Sequence, residues 1–191
     1  MRIANTEIPG VHIVDPMIHR DVRGAFAEVW HQGLFAAQGL ADTWVQENHC
    51  LSHRHVLRGL HYQDLRAPQV RLVRCTRGLI WDVVVDLRET SPTFGKHLAM
   101  ELSADNVRQV RVPVGCAHGF LVLSEEAEVR YLCSSHWCPE AEGVVRWDDP
   151  DLAIPWPIAR PVLSDRDRSA PGFAAYRSRP AFRFGACPEP A

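Results

Sequence analysis

The chain has 191 residues, 46% of them hydrophobic and 23% charged, with a formal net charge of -2. That length supports one domain with a real core and is short for two, and the near-neutral charge points to no nucleic-acid or membrane surface. No apolar run approaches the roughly 18–20 residues needed to span a bilayer and the first residues carry no apolar signal-peptide region, so a cytoplasmic location is expected.

The first ten residues read as an entry segment closed by Pro9-Gly10, and 11–14 as a short strand. A polar stretch at 19–24 reads as a loop, and an apolar pattern resumes over 25–30. Leu34, Phe35, Ala36, Ala37 and Leu40 have the spacing of one short helix within 31–40. From Trp44 to Tyr131 the pattern changes to many short strands, at 70–76, 79–87, 97–102, 109–112, 120–123 and 128–133. Turn signals such as Arg77-Gly78, Ser91-Pro92 and Pro113-Val114-Gly115 separate them. Strands at this spacing without long helices between them indicate an all-β sandwich or barrel, with a jelly roll the best fit. A parallel α/β sheet is excluded because the crossover helices are missing. Beyond Pro139 the chain reads as irregular, save for a short helix at 163–168 capped by Ser164. The expectation is a single domain over 1–191, with a core at about 10–168 and a tail from 178 to 191 that is peripheral or partly disordered.

Six cysteines are scattered with no Cys-x-x-Cys pair, which reads as free, mostly buried thiols rather than disulfides or a zinc cluster. Ten histidines are many for this length. His53-Arg54-His55 has the spacing that places two imidazoles on one face of a strand. A cupin-type metal site also needs a carboxylate shortly afterwards, and the next acidic residue is Asp64. A loop holding His49, His53 and His55 is the plainer reading.

The stretch Val56-Leu57-Arg58-Gly59-Leu60-His61-Tyr62-Gln63 reads as a strand carrying chemistry-capable side chains. Simple alternation puts Leu57, Gly59, His61 and Gln63 on one face and Arg58, Leu60 and Tyr62 on the other; a bulge at Gly59 would return Arg58 to the side of His61. Taken alone, the segment favours a satisfied core histidine beside a surface arginine. Three other elements bear on it. Pro113-Val114-Gly115-Cys116-Ala117-His118-Gly119-Phe120 delivers a histidine to the start of a strand. Tyr131 lies within a strand, as a core residue or as a proton donor if its hydroxyl faces a pocket. Leu163-Ser164-Asp165-Arg166-Asp167 holds carboxylates that ordinarily cap a helix.

With these stretches in hand, the sequence resembles the dTDP-4-dehydrorhamnose 3,5-epimerases and related epimerases of nucleotide-linked 4-keto-6-deoxy sugars, from about Gly10 to about Asp167. Further matches are Asp21-Val22-Arg23-Gly24-Ala25-Phe26-Ala27-Glu28, Gln46-Glu47-Asn48, Asp82-Val83-Val84-Val85-Asp86-Leu87-Arg88 and Ser91-Pro92-Thr93-Phe94-Gly95. The resemblance implies a cupin-like jelly roll with a few short peripheral helices, a homodimer, and catalysis with no metal or organic cofactor. It assigns His61 as the base that removes the proton next to the 4-keto group, Asp167 as its paired carboxylate, and Tyr131 as the acid that returns a proton from the opposite face. Arg23, Arg58, Gln46 and Asn48 match residues that hold the sugar and diphosphate, and Glu28 and His118 match further pocket residues. It also suggests an N-terminal strand exchanged across the dimer.

The chemistry agrees with these roles. A proton α to a ketone is weakly acidic, so a base must be supplied and the enolate stabilised. A carboxylate on the second imidazole nitrogen fixes the tautomer. The arginine fork matches two diphosphate oxygens. Two departures stand out. Arg71 replaces the lysine usual beside the enolate oxygen, and His136-Trp137 stands where the family places aromatic residues that stack on the base. The familiar Ser-x-Ser is altered to Cys50-Leu51-Ser52. The expected activity is inversion at carbons 3 and 5, with a single-site 3- or 5-epimerase as the nearest alternative. A metal-binding cupin and a non-catalytic sugar-nucleotide binder are the alternatives of another class.

Overall fold

A computed structural model describes residues 1–187. The strands are β1 (Arg2–Asn5), β2 (His12–Asp15), β3 (Ile18–Asp21), β4 (Gly24–Ala27), β5 (Gln46–His53), β6 (Leu57–Gln63), β7 (Arg71–Arg77) and β8 (Leu79–Asp86). They continue through β9 (Arg88–Glu89), β10 (His97–Ser103), β11 (Gln109–Val112), β12 (Cys116–Val122), β13 (Glu126–Cys133), β14 (Glu142–Val144) and β15 (Phe182–Arg183). Three short helices accompany them: α1 (Gln32–Ala36), α2 (Asp165–Arg168) and α3 (Phe173–Ser178). No helix among the described residues is long and apolar enough to cross a membrane.

A six-stranded sheet, in the order β1-β2-β11-β7-β13-β5, faces a five-stranded sheet in the order β10-β8-β12-β6-β14. The main core lies between them. Val73, Val110 and Val129 from the first sheet meet Ile80, Val84, Leu102 and Phe120 from the second. A second apolar layer covers the outer face of the five-stranded sheet, where Leu60, Val83 and Val85 pack against Leu152, Phe173, Tyr176 and Phe182. This explains the near-continuous apolar run of β8: with side chains alternating along a strand, both of its faces are buried.

The C-terminal region is more ordered than its composition suggested. Phe182 is 2% exposed, and β15 pairs in parallel with β9. The Tyr176 hydroxyl donates to the Leu87 carbonyl at 2.7 Å. Within the tail expected to be peripheral, Phe182 is buried while most of 178–187 is exposed, and 188–191 lies outside the described residues. Likewise β14 and α3 fall where the sequence read as irregular, because short elements with mixed composition acquire their regularity from the sheet they lie against.

The bulge at Gly59 is present. His118 pairs with His61 and Phe120 with Arg58, so one residue of β12 spans the same interval as two of β6. Simple alternation along β6 fails there. Arg58 and His61 share the face that looks between the sheets, while Leu60 and Tyr62 belong to the outer layer. Gly59 has φ +143, and a Cβ on it would sit 2.6 Å from the Gly119 Cα. The two glycines let β6 and β12 approach closely enough for the bulge to form.

Candidate active site

The site lies at one end of the sandwich, where the two sheets part. β5 alternates strictly: Gln46, Asn48, Cys50 and Ser52 are shielded, and Glu47, His49, Leu51 and His53 are exposed. β13 pairs with β5 so that Tyr131 lies beside Asn48 and Cys133 beside Gln46. It pairs with β7 so that Cys133 lies beside Arg71. Antiparallel partners share a face, so Gln46, Asn48, Tyr131 and Arg71 form one wall. His61 on β6 faces them from the other sheet. Between the walls is a cleft of about 480 Å³ lined by Gln46, Asn48, His61, Arg71, Tyr131 and Trp137 among others.

The His61 Nε2–H donates to Asp167 Oδ1 at 2.6 Å. A carboxylate can only accept, so this bond assigns the proton to Nε2 and leaves the lone pair on Nδ1. Nδ1 has no hydrogen-bond partner among the described residues. Asp167 is 3% exposed and sits in α2, where its own N–H donates to the capping Ser164 Oγ at 3.1 Å. Burial works against ionisation of this carboxyl. The hydrogen bond and charge of His61 outweigh burial and hold it below the ordinary carboxylate range. Burial pushes the Tyr131 phenol above its ordinary value, with the Arg71 guanidinium opposing. The arrangement places a base oriented by a carboxylate opposite a neutral hydroxyl donor, which suits proton removal from one side of a bound ring and return from the other.

Cations and amides complete the cleft. Arg71 Nε donates to Gln69 Oε1 at 2.8 Å, which leaves its two terminal nitrogens for a ligand. Arg58 donates to Ser52 Oγ at 3.0 Å on the inner face, and its charge bears on Tyr131, but it is not among the residues lining the cleft. Four lining residues, Glu47, His49, Gln69 and Glu142, were not among the candidates; Glu47 and His49 touch the cleft only from the exposed face of β5. Gln69 is two residues from Arg71, a spacing that marked it as a same-face neighbour. Glu142 had no local signal: it accepts from Arg166 Nη1 and, at 3.3 Å, from Trp137 Nε1.

Three candidates lie elsewhere. His118 is the cross-strand neighbour of His61 but is buried, its Nε2–H donating to Asp82 Oδ2 at 2.8 Å. Arg23 is on the β3–β4 hairpin, paired with Asp21 at 2.6 Å, and Glu28 is exposed just beyond β4. Neither Arg23 nor Glu28 lines the cleft of its own chain. The loop expected at His49, His53 and His55 is also corrected. His49 and His53 lie on the outward face of β5, and His55 sits in the turn that follows, with φ 67. The His53 and His55 pair therefore shares no strand face. Among the described residues no three His, Cys, Asp or Glu side chains gather as a metal site.

Comparison with known proteins identifies a family and a set of similar folds. Residues 5–175 match the family model described as dTDP-4-dehydrorhamnose 3,5-epimerase. A dTDP-4-dehydrorhamnose 3,5-epimerase of Pseudomonas aeruginosa is 47% identical over 176 residues, covering 91% of this chain and 97% of that protein. The crystal structure of a dTDP-6-deoxy-D-glucose-3,5-epimerase from Legionella pneumophila, in complex with dTDP-4-keto-L-rhamnose, superposes with a TM-score of 0.91. It is 40% identical and covers 97% of this chain and 99% of that one. A 3′-monoepimerase from Streptomyces bikiniensis, in complex with dTDP-quinovose, gives a TM-score of 0.86 at 38% identity, over 91% of this chain and 88% of that one.

Proposed function

The chain belongs to the dTDP-4-dehydrorhamnose 3,5-epimerase family, isomerases with a cupin-like β fold, and from that premise we propose how its own residues act. The substrate is a dTDP-linked 4-keto-6-deoxyhexose. His61 Nδ1 removes the proton from the carbon next to the ketone, and Asp167 stabilises the imidazolium that forms. Arg71 lies where it can balance the charge on the enolate oxygen. Tyr131 donates its proton from the opposite wall and the configuration inverts. Proton exchange with solvent then returns His61 to the neutral imidazole and Tyr131 to the phenol, and repeating the sequence on the other side of the ketone inverts the second carbon. No electron leaves or enters the sugar and protons are only exchanged, so the residues present suffice without a cofactor. The observation that carries this reading is the His61–Asp167 pair facing Tyr131 across one cleft.

The test is incubation of dTDP-4-keto-6-deoxyglucose with the protein in deuterated water. Deuterium is expected at carbons 3 and 5 of the recovered sugar. Deuterium at one carbon alone identifies a single-site epimerase, a second reading supported by the likeness to a 3′-monoepimerase and by Arg71 in place of lysine. No incorporation overturns both.

We further propose that the active form is a homodimer. The β3–β4 hairpin is a separate two-stranded sheet, and its Val22 and Phe26 are 105% and 69% exposed. An exposed hairpin with apolar residues favours docking on another surface. Arg23 and Glu28 ride on it, and a second copy is where they would meet a cleft. Light scattering should give about twice the 21.5 kDa chain mass; a monomer at working concentration would refute the assignment. Six free thiols suit the reducing cytoplasm as its location.

A further inference from the structure

Trp137 is 57% exposed, so packing alone does not decide where its ring points; its Nε1–H donates to Glu142 Oε2 at 3.3 Å, and the backbone that carries the ring has to be held as well. It lies in the irregular segment 134–138 between β13 and β14, which has few backbone partners of its own. Its polar backbone groups are met by side chains instead. Ser135 O accepts from Gln69 Nε2 at 2.7 Å, and the Trp137 N–H donates to Gln46 Oε1 at 3.0 Å. The residues on either side of Trp137 are both held by Gln63. Its Nε2 donates to His136 O at 3.3 Å, and its Oε1 accepts from the Cys138 N–H at 2.7 Å. The same Nε2 donates to Ala67 O at 3.0 Å. Gln63 is 4% exposed and does not line the cleft. It is two residues from His61 on the same strand and the same face.

We propose that Gln63 is the positioning residue for nucleotide recognition: by clamping His136 and Cys138 it aims the Trp137 ring into the cleft, in register with His61. This rests on the functional reading above, a dTDP-linked substrate, and on the resemblance that puts Trp137 where the family's aromatic residues stack on the base. The amide is suited to the task because it donates and accepts at once. A buried residue that satisfies an otherwise unpaired loop backbone fixes that loop's conformation. The clamp acts on the base and leaves the diphosphate to the arginines.

The test uses Gln63→Met, which keeps length and burial but removes both bonding groups. Binding of thymidine diphosphate and of inorganic pyrophosphate is measured, together with epimerisation kinetics. The thymidine diphosphate Kd and the KM should rise about tenfold, the scale of one lost base–aromatic stack. The pyrophosphate Kd and kcat should stay within about twofold. In a Trp137→Ala background Gln63→Met should add nothing further, because both changes remove the same contact. An equal loss of pyrophosphate affinity, or a full effect persisting without Trp137, shows Gln63 to be merely structural and overturns the proposal. If Gln63→Met does not fold, Gln63→Asn keeps the neutral amide but is one methylene too short to hold both His136 and Cys138, and carries the same expectations. Failure of the unaltered protein to bind thymidine diphosphate overturns the functional reading and this inference together. Binding by the unaltered protein with no change in either variant overturns this inference alone.

Discussion

Replacing His61 by alanine is expected to stop deuterium exchange at every carbon of the sugar, lowering the rate by roughly 10³-fold or more, the upper range for loss of a positioned general base. The other carboxylate and imidazole groups lining the cleft are committed or face outward: Glu142 is paired with Arg166, and Glu47 and His49 lie on the exposed face of β5. Asp167 is 3% exposed, and its carboxyl, despite burial, is held below the usual carboxylate range by the hydrogen bond and charge of His61. Without His61 those lowering influences are gone, but the carboxyl is set too deep to reach a sugar carbon, since Asp167 does not line the cleft. Mass spectrometry of the recovered sugar after prolonged incubation provides the measurement; substantial exchange in the variant would remove His61 from the mechanism. The variant also strands a buried carboxylate, so a stability loss of about 1–3 kcal/mol accompanies it. The sign of the pH dependence follows from the depressed folded value of Asp167. Its contribution to stability is fully present above the unfolded carboxylate value near ~4 and is lost as pH falls through the lower folded value. A melting curve at neutral pH therefore separates a folded, inactive variant from an unfolded one.

Tyr131→Phe is expected to divide the reaction rather than end it. In the proposed mechanism the phenol returns a proton on the face opposite His61, so its loss leaves proton removal by His61 intact. Exchange with solvent should persist while inversion at carbon 5 falls by about 10²-fold, within the range for a missing general acid. Proton NMR of the products in deuterated water distinguishes deuterium retained with unchanged configuration from deuterium with inversion. Equal loss of both steps would contradict the division of labour. Because burial raises the Tyr131 phenol above its ordinary value, it stays protonated past pH ~10, where an exposed tyrosine would ionise. Inversion at carbon 5 in the unaltered protein should therefore show no alkaline loss from Tyr131 below that pH.

Much of the architecture was legible locally. β11 matches its expected bounds at 109–112, β7, β8 and β10 lie within a residue or so of theirs, and Ser164 caps α2 as read. These are places where alternation, turn residues and capping chemistry agree with one another. β5 was missed because Gln46-Glu47-Asn48-His49 is polar on both faces: its inner residues line a cleft, so no apolar alternation marks the strand. β14, α3 and β15 were missed because they are short: β14 forms only as the edge strand beside β6, and α3 and β15 form only against the outer face of the five-stranded sheet.

The sequence by itself determined the kinds of group available, a histidine, a tyrosine and a carboxylate at motif positions, and the all-β class that would carry them. Its local pattern favoured a core histidine at His61, which only the family resemblance recast as a base, and left open on which side Arg58 lay. The tertiary structure decided the side of Arg58 and supplied the partner that the proposed base needs. The bulge opposite Gly119 reverses the face of Arg58. The contact between His61 and Asp167, 106 residues apart, makes the imidazole an oriented base. The physical reason is that local pattern records which face of a strand is apolar, whereas a proton-transfer site depends on which side chains from different strands converge, and that is set by sheet pairing and packing between sheets.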